Sequence, residues 1–98
     1  MNIEKNLDSG CLTVKVEGRL DTNTSPELED ELKLEGVTEI VFDFSGLEYI
    51  SSAGLRVLMG AHKTVTSRGG TVKVLHPNAM VHGVFEITGL DSVFAVEA

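Results

Sequence analysis

The chain has 98 residues, enough for one domain built on a single core. With 42% hydrophobic and 23% charged residues it has the composition of an ordinary globular chain and not of a disordered one. The formal net charge of −7 argues against nucleic acid or an anionic membrane as main partner, since both require a basic footprint. No apolar run approaches the roughly 20 residues of a membrane span, and Met-Asn-Ile-Glu-Lys opens the chain without the apolar stretch of a secretion signal. Cys11 is the only cysteine, so an internal disulfide is excluded and a cytoplasmic location is expected. Cys11 itself reads as a small strand hydrophobe.

Residues 2–7 are a weak strand candidate, closed by a turn at Leu7-Asp8-Ser9-Gly10. Leu12, Val14 and Val16 alternate with Thr13, Lys15 and Glu17, the pattern of a half-buried strand pairing back onto the first. Gly18 to Thr24 reads as a polar loop. Ser25-Pro26 then offers a helix cap and a first-turn proline. Leu28, Leu32 and Leu34 give that helix a narrow apolar face, Glu27, Glu29, Asp30 and Glu31 a solvated one, and Gly36 its stop. Ile40-Val41-Phe42-Asp43-Phe44 is apolar enough to predict a strand buried on both faces. Leu55, Leu58, Met59, His62 and Val65 mark one stripe of a second helix. After a turn at Ser67-Arg68-Gly69-Gly70, Val72 and Val74 mark a short strand. Pro77 opens a third helix, with Met80, Val81, Val84, Phe85 and Ile87 as a broad apolar face, and Gly89 stops it. Val93 to Val96 is a last edge strand. The order β-β-α-β-α-β-α-β predicts an α/β fold: a mixed, mostly parallel sheet with an antiparallel opening hairpin and three main helices.

The constellations of an enzyme are missing. His62, His76 and His82 share no zinc-type spacing with a cysteine, and His62 falls on the apolar stripe of its helix, which makes it a packed or stripe-edge histidine. There is no glycine-serine-glycine elbow and no glycine-rich dinucleotide or phosphate loop. No catalytic residue, metal ligand or cofactor is therefore assigned, and an enzyme is not expected.

What remains is Ser51-Ser52, placed where a strand hands over to a helix. One reading makes a hydroxyl the N-cap, which stabilises a helix by about 1 kcal/mol. Another makes one of them the acceptor of a phosphoryl group. A phosphoserine carries about −1.5 to −2 charges at pH 7. At a helix start that charge meets unpaired N–H groups and the positive end of the dipole, so the fold tolerates it and the effect falls on binding.

Asp43-Phe44-Ser45-Gly46-Leu47-Glu48-Tyr49-Ile50-Ser51-Ser52-Ala53-Gly54-Leu55 resembles the signature of the STAS domain, typified by bacterial anti-sigma factor antagonists. Gly18-Arg19-Leu20-Asp21-Thr22-Asn23-Thr24 resembles the family's glycine-x-leucine-aspartate loop. Phe85-Glu86-Ile87-Thr88-Gly89-Leu90 resembles its closing phenylalanine-x-x-x-glycine-leucine motif. Order and spacing agree over nearly the whole chain, so residues 1–98 read as one STAS domain. The resemblance implies partner switching. The unphosphorylated protein binds an anti-sigma factor that is also a serine kinase; phosphorylation ends the complex and a serine phosphatase restores it.

By the same resemblance the phosphoacceptor lies two residues before the signature glycine, at Ser52, with Ser51 as the alternative hydroxyl. Asp21 and Thr22 in the loop, together with Ser51, Ser52, Ala53, Gly54 and Leu55, are the expected partner contacts. This chain departs from the pattern at Ser51, where the family often has aspartate. The resemblance also embraces non-switching STAS subunits that act as scaffolds or accessory parts of signalling or transport complexes. A third possibility, from the turn itself, is a small-anion site.

Overall fold

The computed structural model describes residues 1–97. A hairpin comes first, β1 (Asn2–Asp8) and β2 (Cys11–Leu20), paired antiparallel from Asn2 with Glu17 to Asp8 with Cys11. Ser9 (φ 51°) and Gly10 (φ 83°) form its two-residue turn, both in the left-handed region that suits the twist of a tight hairpin. There follow α1 (Ser25–Glu31), β3 (Glu39–Ile50), α2 (Ser52–Thr66), β4 (Thr71–Leu75), α3 (Ala79–Thr88), a 3₁₀ turn (Leu90–Ser92) and β5 (Ala95–Glu97). Beyond the hairpin all pairings are parallel, and the five strands lie in sequence order. The mixed sheet and three helices are those the sequence pattern predicts.

Strand order has a consequence for the core. When successive strands always add on the same side, right-handed crossovers place every connecting helix on one face of the sheet. The burial pattern agrees. Leu12 and Val14 register with Ile40 and Phe42, and these with Val72 and Val74, and all six side chains are buried on that one face. Phe44, Leu47 and Ile50 continue the row toward the end of β3. Each buried side chain of this size contributes about 1.5–3 kcal/mol. The opposite face carries Thr13, Lys15, Val41, Asp43 and Lys73, none of them fully buried. The reading of Ile40–Phe44 as buried on both faces is thus overturned: the apolar run is continuous only because Val41 sits on the open face.

Several element bounds also differ from the sequence reading. Gly18, Arg19 and Leu20 belong to β2, leaving only Asp21–Thr24 as loop. Thr24 is the N-cap residue of α1 instead of Ser25, whose buried hydroxyl donates to the Asp21 carbonyl. That helix stops at Glu31, five residues before Gly36, because its C-terminal turn is followed by Leu32 in a non-helical conformation. Val93 and Phe94 precede β5, and Phe94 packs edge-on against Phe85 (5.9 Å) and His62 (5.4 Å). Of the two readings of His62, packed or at the stripe edge, the contact with Phe94 supports the packed one.

The helical stripes are narrower than their apolar residues suggest. In α2 the buried positions are Gly54, Val57, Leu58, Ala61 and Val65. Small residues face the sheet and rotate the stripe, leaving Leu55 half-buried and Met59 exposed. In α3 only Val81 and Phe85 are buried, while Met80 and Ile87 are 49% and 89% exposed. Gly89, at φ 77°, ends α3 in the left-handed conformation that glycine adopts without strain.

Candidate functional site

The two serines at the head of α2 are in different chemical situations. Ser51 is the N-cap, extended at φ −99° and ψ 174°, and its Oγ accepts from the Gly54 N–H at 3.2 Å. Its own N–H donates to the Leu20 carbonyl at 2.9 Å, which fastens the helix start to the end of β2. Ser52 is the first helical residue, exposed, and its hydroxyl forms no hydrogen bond among the described residues. One hydroxyl is committed to the fold and the other faces solvent.

Gly54 is required by packing. A Cβ there would lie 2.8 Å from Leu20 Cγ and 2.9 Å from Ile50 Cγ1. The absent side chain lets α2 sit directly on the end strands and brings the loop after Leu20 up beside the serine turn. Ala53 and Leu55 flank Gly54, both half-buried. Thr22, Ala53 and Arg56 line one shallow depression between α1 and α2, together with Pro26, Glu29 and Val57. Thr22 of the first motif and Ala53 of the second therefore share one surface.

The Asp21 carboxylate works inside its own loop. Oδ1 accepts from the N–H groups of Asn23 (2.9 Å) and Thr24 (3.0 Å). The Thr24 hydroxyl accepts from the Asp21 N–H at 2.9 Å, and lies 2.7 Å from the Arg19 carbonyl and 3.1 Å from Asp21 Oδ1. The Thr24 N–H, aided by Asn23, holds the Asp21 carboxyl below its ordinary range. Asp43 is held down in the same way by the Ser45 N–H, which Oδ1 accepts at 3.0 Å. Arg19 is engaged as well, its guanidinium 4.3 Å from the centre of the Tyr49 ring.

Three contributors escaped the sequence reading. Leu20 supplies both the carbonyl for Ser51 and the packing against Gly54. Thr24 locks the loop, a role legible in the Asp-x-x-Thr spacing. Asn78 caps α3, accepting from the Val81 N–H at 2.8 Å, and donates to the Leu47 and Glu48 carbonyls at 3.1 and 3.3 Å. That amide ties α3 to the stretch of β3 leading into Ser51. Its signal was the asparagine immediately before an apolar helical run.

Cys11 Sγ lies 3.2 Å from Glu39 Oε1 on the open face, far along the strands from the serines. Burial and then the Glu39 carboxylate push its thiol up, which disfavours the thiolate. No cluster of metal-ligating side chains occurs among the described residues. No helix there is long and apolar enough to cross a membrane.

Comparison with known proteins bears on the family and the fold. The family model described as STAS domain matches residues 2–98. The anti-sigma-B factor antagonist of Staphylococcus aureus is 31% identical over 99 residues, spanning 98% of this chain and 92% of that protein. The anti-sigma F factor antagonist of Paenibacillus polymyxa is 27% identical over 100 residues, spanning 98% and 86%. Among solved structures, the anti-sigma factor antagonist SpoIIAA in its unphosphorylated form aligns with a TM-score of 0.86 at 20% identity, over 99% of this chain and 88% of its own. The phosphorylated form of the Bacillus cell fate determinant SpoIIAA gives 0.80 at 19%, over 99% and 91%. At such identities the two structures speak to the fold alone. The family model and the relatives in sequence carry the rest: the chain belongs to the STAS domain family, among the anti-sigma factor antagonists.

Proposed function

We propose that this chain is a phosphorylation-controlled binding module. Unphosphorylated, it binds an anti-sigma factor that is also a serine kinase, and so releases a sigma factor in the cytoplasm. The kinase transfers the γ-phosphoryl group of ATP to Ser52, ending the complex, and a serine phosphatase reverses it. The contact surface comprises Asp21, Thr22, Ser51, Ser52, Ala53, Gly54 and Leu55. The observation that carries this reading is the division of labour at the turn: the Ser51 hydroxyl caps α2, while the Ser52 hydroxyl is exposed and free.

A phosphate at Ser52 leaves the fold intact, because the helix start favours negative charge. It acts instead on a partner fitted to a small neutral hydroxyl beside Ala53 and Gly54. The test is incubation with the anti-sigma kinase and ATP, read by intact mass and by fragment mass spectra. One phosphoryl group on the wild type, absent from Ser52→Ala, is the expected outcome. Retention on Ser52→Ala with loss on Ser51→Ala reassigns the site. A complex that forms without any phosphoryl transfer leaves a non-switching scaffold.

A further inference from the structure

Arg56 stands one helical turn beyond Ser52. It is exposed, and among the described residues it forms neither an ion pair nor a hydrogen bond. The other arginines are occupied: Arg19 lies over Tyr49, and Arg68 donates to the Leu34 and Val37 carbonyls. Lys63 is seven residues further along α2, about 10 Å of helix rise from Arg56. From Ser52 through His62, Arg56 is the only residue with a fixed charge. Glu29 of α1 borders the same shallow depression as Arg56 yet makes no ion pair with it.

We infer that Arg56 captures a phosphoryl group carried by Ser52, so that modification adds negative charge and at the same time withdraws the fixed cation nearest the head of α2. The inference rests on the proposed assignment of Ser52. Residues four apart on a helix bring their Cβ atoms to about 5–6 Å, and the anion-before-cation order is the favourable one. The guanidinium fork matches two phosphate oxygens, a geometry a lysine does not reproduce. Before modification the head of α2 presents a free arginine beside a neutral hydroxyl. Afterwards it presents an internal ion pair with net negative charge. A partner fitted to the first surface loses a cation as well as meeting an anion, which makes the switch steeper than charge addition alone.

The experiment uses the full chain with phosphoserine encoded genetically at position 52, so no kinase is needed. Phosphorus NMR follows the second ionisation of the phosphate against pH in low salt. Wild type is expected to ionise about 0.15–0.4 pH unit below Arg56→Gln. Arg56→Lys should fall between them, Lys63→Gln should match the wild type, and 1 M salt should shrink the difference. Superimposable titrations of wild type and Arg56→Gln overturn the inference, whatever the kinase does. Failure of a kinase to modify Ser52 while the titrations differ counts instead against the proposed function and leaves the Arg56 pairing standing.

Discussion

The N–H of Ser51 donates to the Leu20 carbonyl at 2.9 Å, and the Leu20 side chain fills the volume that a Cβ at position 54 would need. These two contacts join the end of β2 to the head of α2. The loop that carries Asp21 and Thr22 is therefore positioned by the same residues that set the orientation of Ser52.

That packing makes a prediction about Gly54. Replacing a mid-chain helical glycine by alanine normally stabilises by up to about 1 kcal/mol. At position 54 the methyl group meets Leu20 and Ile50, and overpacking costs about 1–3 kcal/mol. Gly54→Ala should be net destabilising in urea unfolding, and less so when Leu20 is shortened to Ala in the same chain. A Gly54→Ala chain more stable than the wild type would contradict the contact.

The serines should separate by stability as they do by geometry. Ser51→Ala removes the acceptor of the Gly54 N–H and should lower stability by about 0.5–2 kcal/mol. Ser52→Ala breaks no hydrogen bond and should change the melting temperature little. Equal losses for the two variants would show that Ser51 is not the working cap.

Asp21 should give the loop an acid-sensitive element. Its carboxyl is held below the ordinary value of 3.8 by the N–H groups of Thr24 and Asn23. A depressed folded value means that ionised Asp21 favours the folded state. That contribution is full above pH 4–5, and it disappears as pH falls through the folded value. The melting-temperature gap between wild type and Asp21→Ala should therefore be constant near neutrality and narrow below pH 4. A gap independent of pH down to 2 would assign the loss to loop sterics alone.

Much of this architecture was legible in residue order. The alternation Leu12-Val14-Val16, the turn at Ser9-Gly10 and the stop at Gly89 each rest on local rules, and the structure follows them. Local rules failed where tertiary packing decided. Val41 made β3 look buried on both faces, yet nothing in one strand tells that all crossovers lie on the same side. Gly54 and Ala61 look like gaps in a stripe but are buried positions within it. The site was half legible. Two serines at a helix start announce a cap without saying which one caps, because that depends on where Leu20 presents its carbonyl.

Asn78 offers a test of how α3 is held. Its side chain accepts from the Val81 N–H and donates to the Leu47 and Glu48 carbonyls. Asn78→Asp keeps the cap and removes both donations, whereas Asn78→Ala removes everything. The alanine variant should lose about 1–3 kcal/mol and the aspartate variant less. Hydrogen exchange should speed up at the first turn of α3 in the alanine variant only. Unchanged exchange there would mean that the cap is not maintained in solution.

The proposed switch makes the sharpest demand. Ser52→Ala presents a small neutral surface and should bind the anti-sigma factor about as well as the unphosphorylated wild type, but ATP should no longer dissolve the complex. Ser52→Asp places a carboxylate near the position of the phosphate and should bind at least tenfold more weakly, measured by calorimetry. Its circular dichroism and melting temperature should stay close to those of the wild type, since α2 begins with unpaired N–H groups that favour an anion. Weak binding together with a large fall in melting temperature would trace the loss to unfolding. Equal affinities of Ser52→Ala and Ser52→Asp, both folded, would remove charge exclusion as the mechanism. The Arg56 pairing adds a further distinction. An aspartate is shorter and carries less charge than a phosphoserine, so it leaves Arg56 partly free. Encoded phosphoserine should therefore weaken binding more than Ser52→Asp does, and Arg56→Gln should narrow that difference.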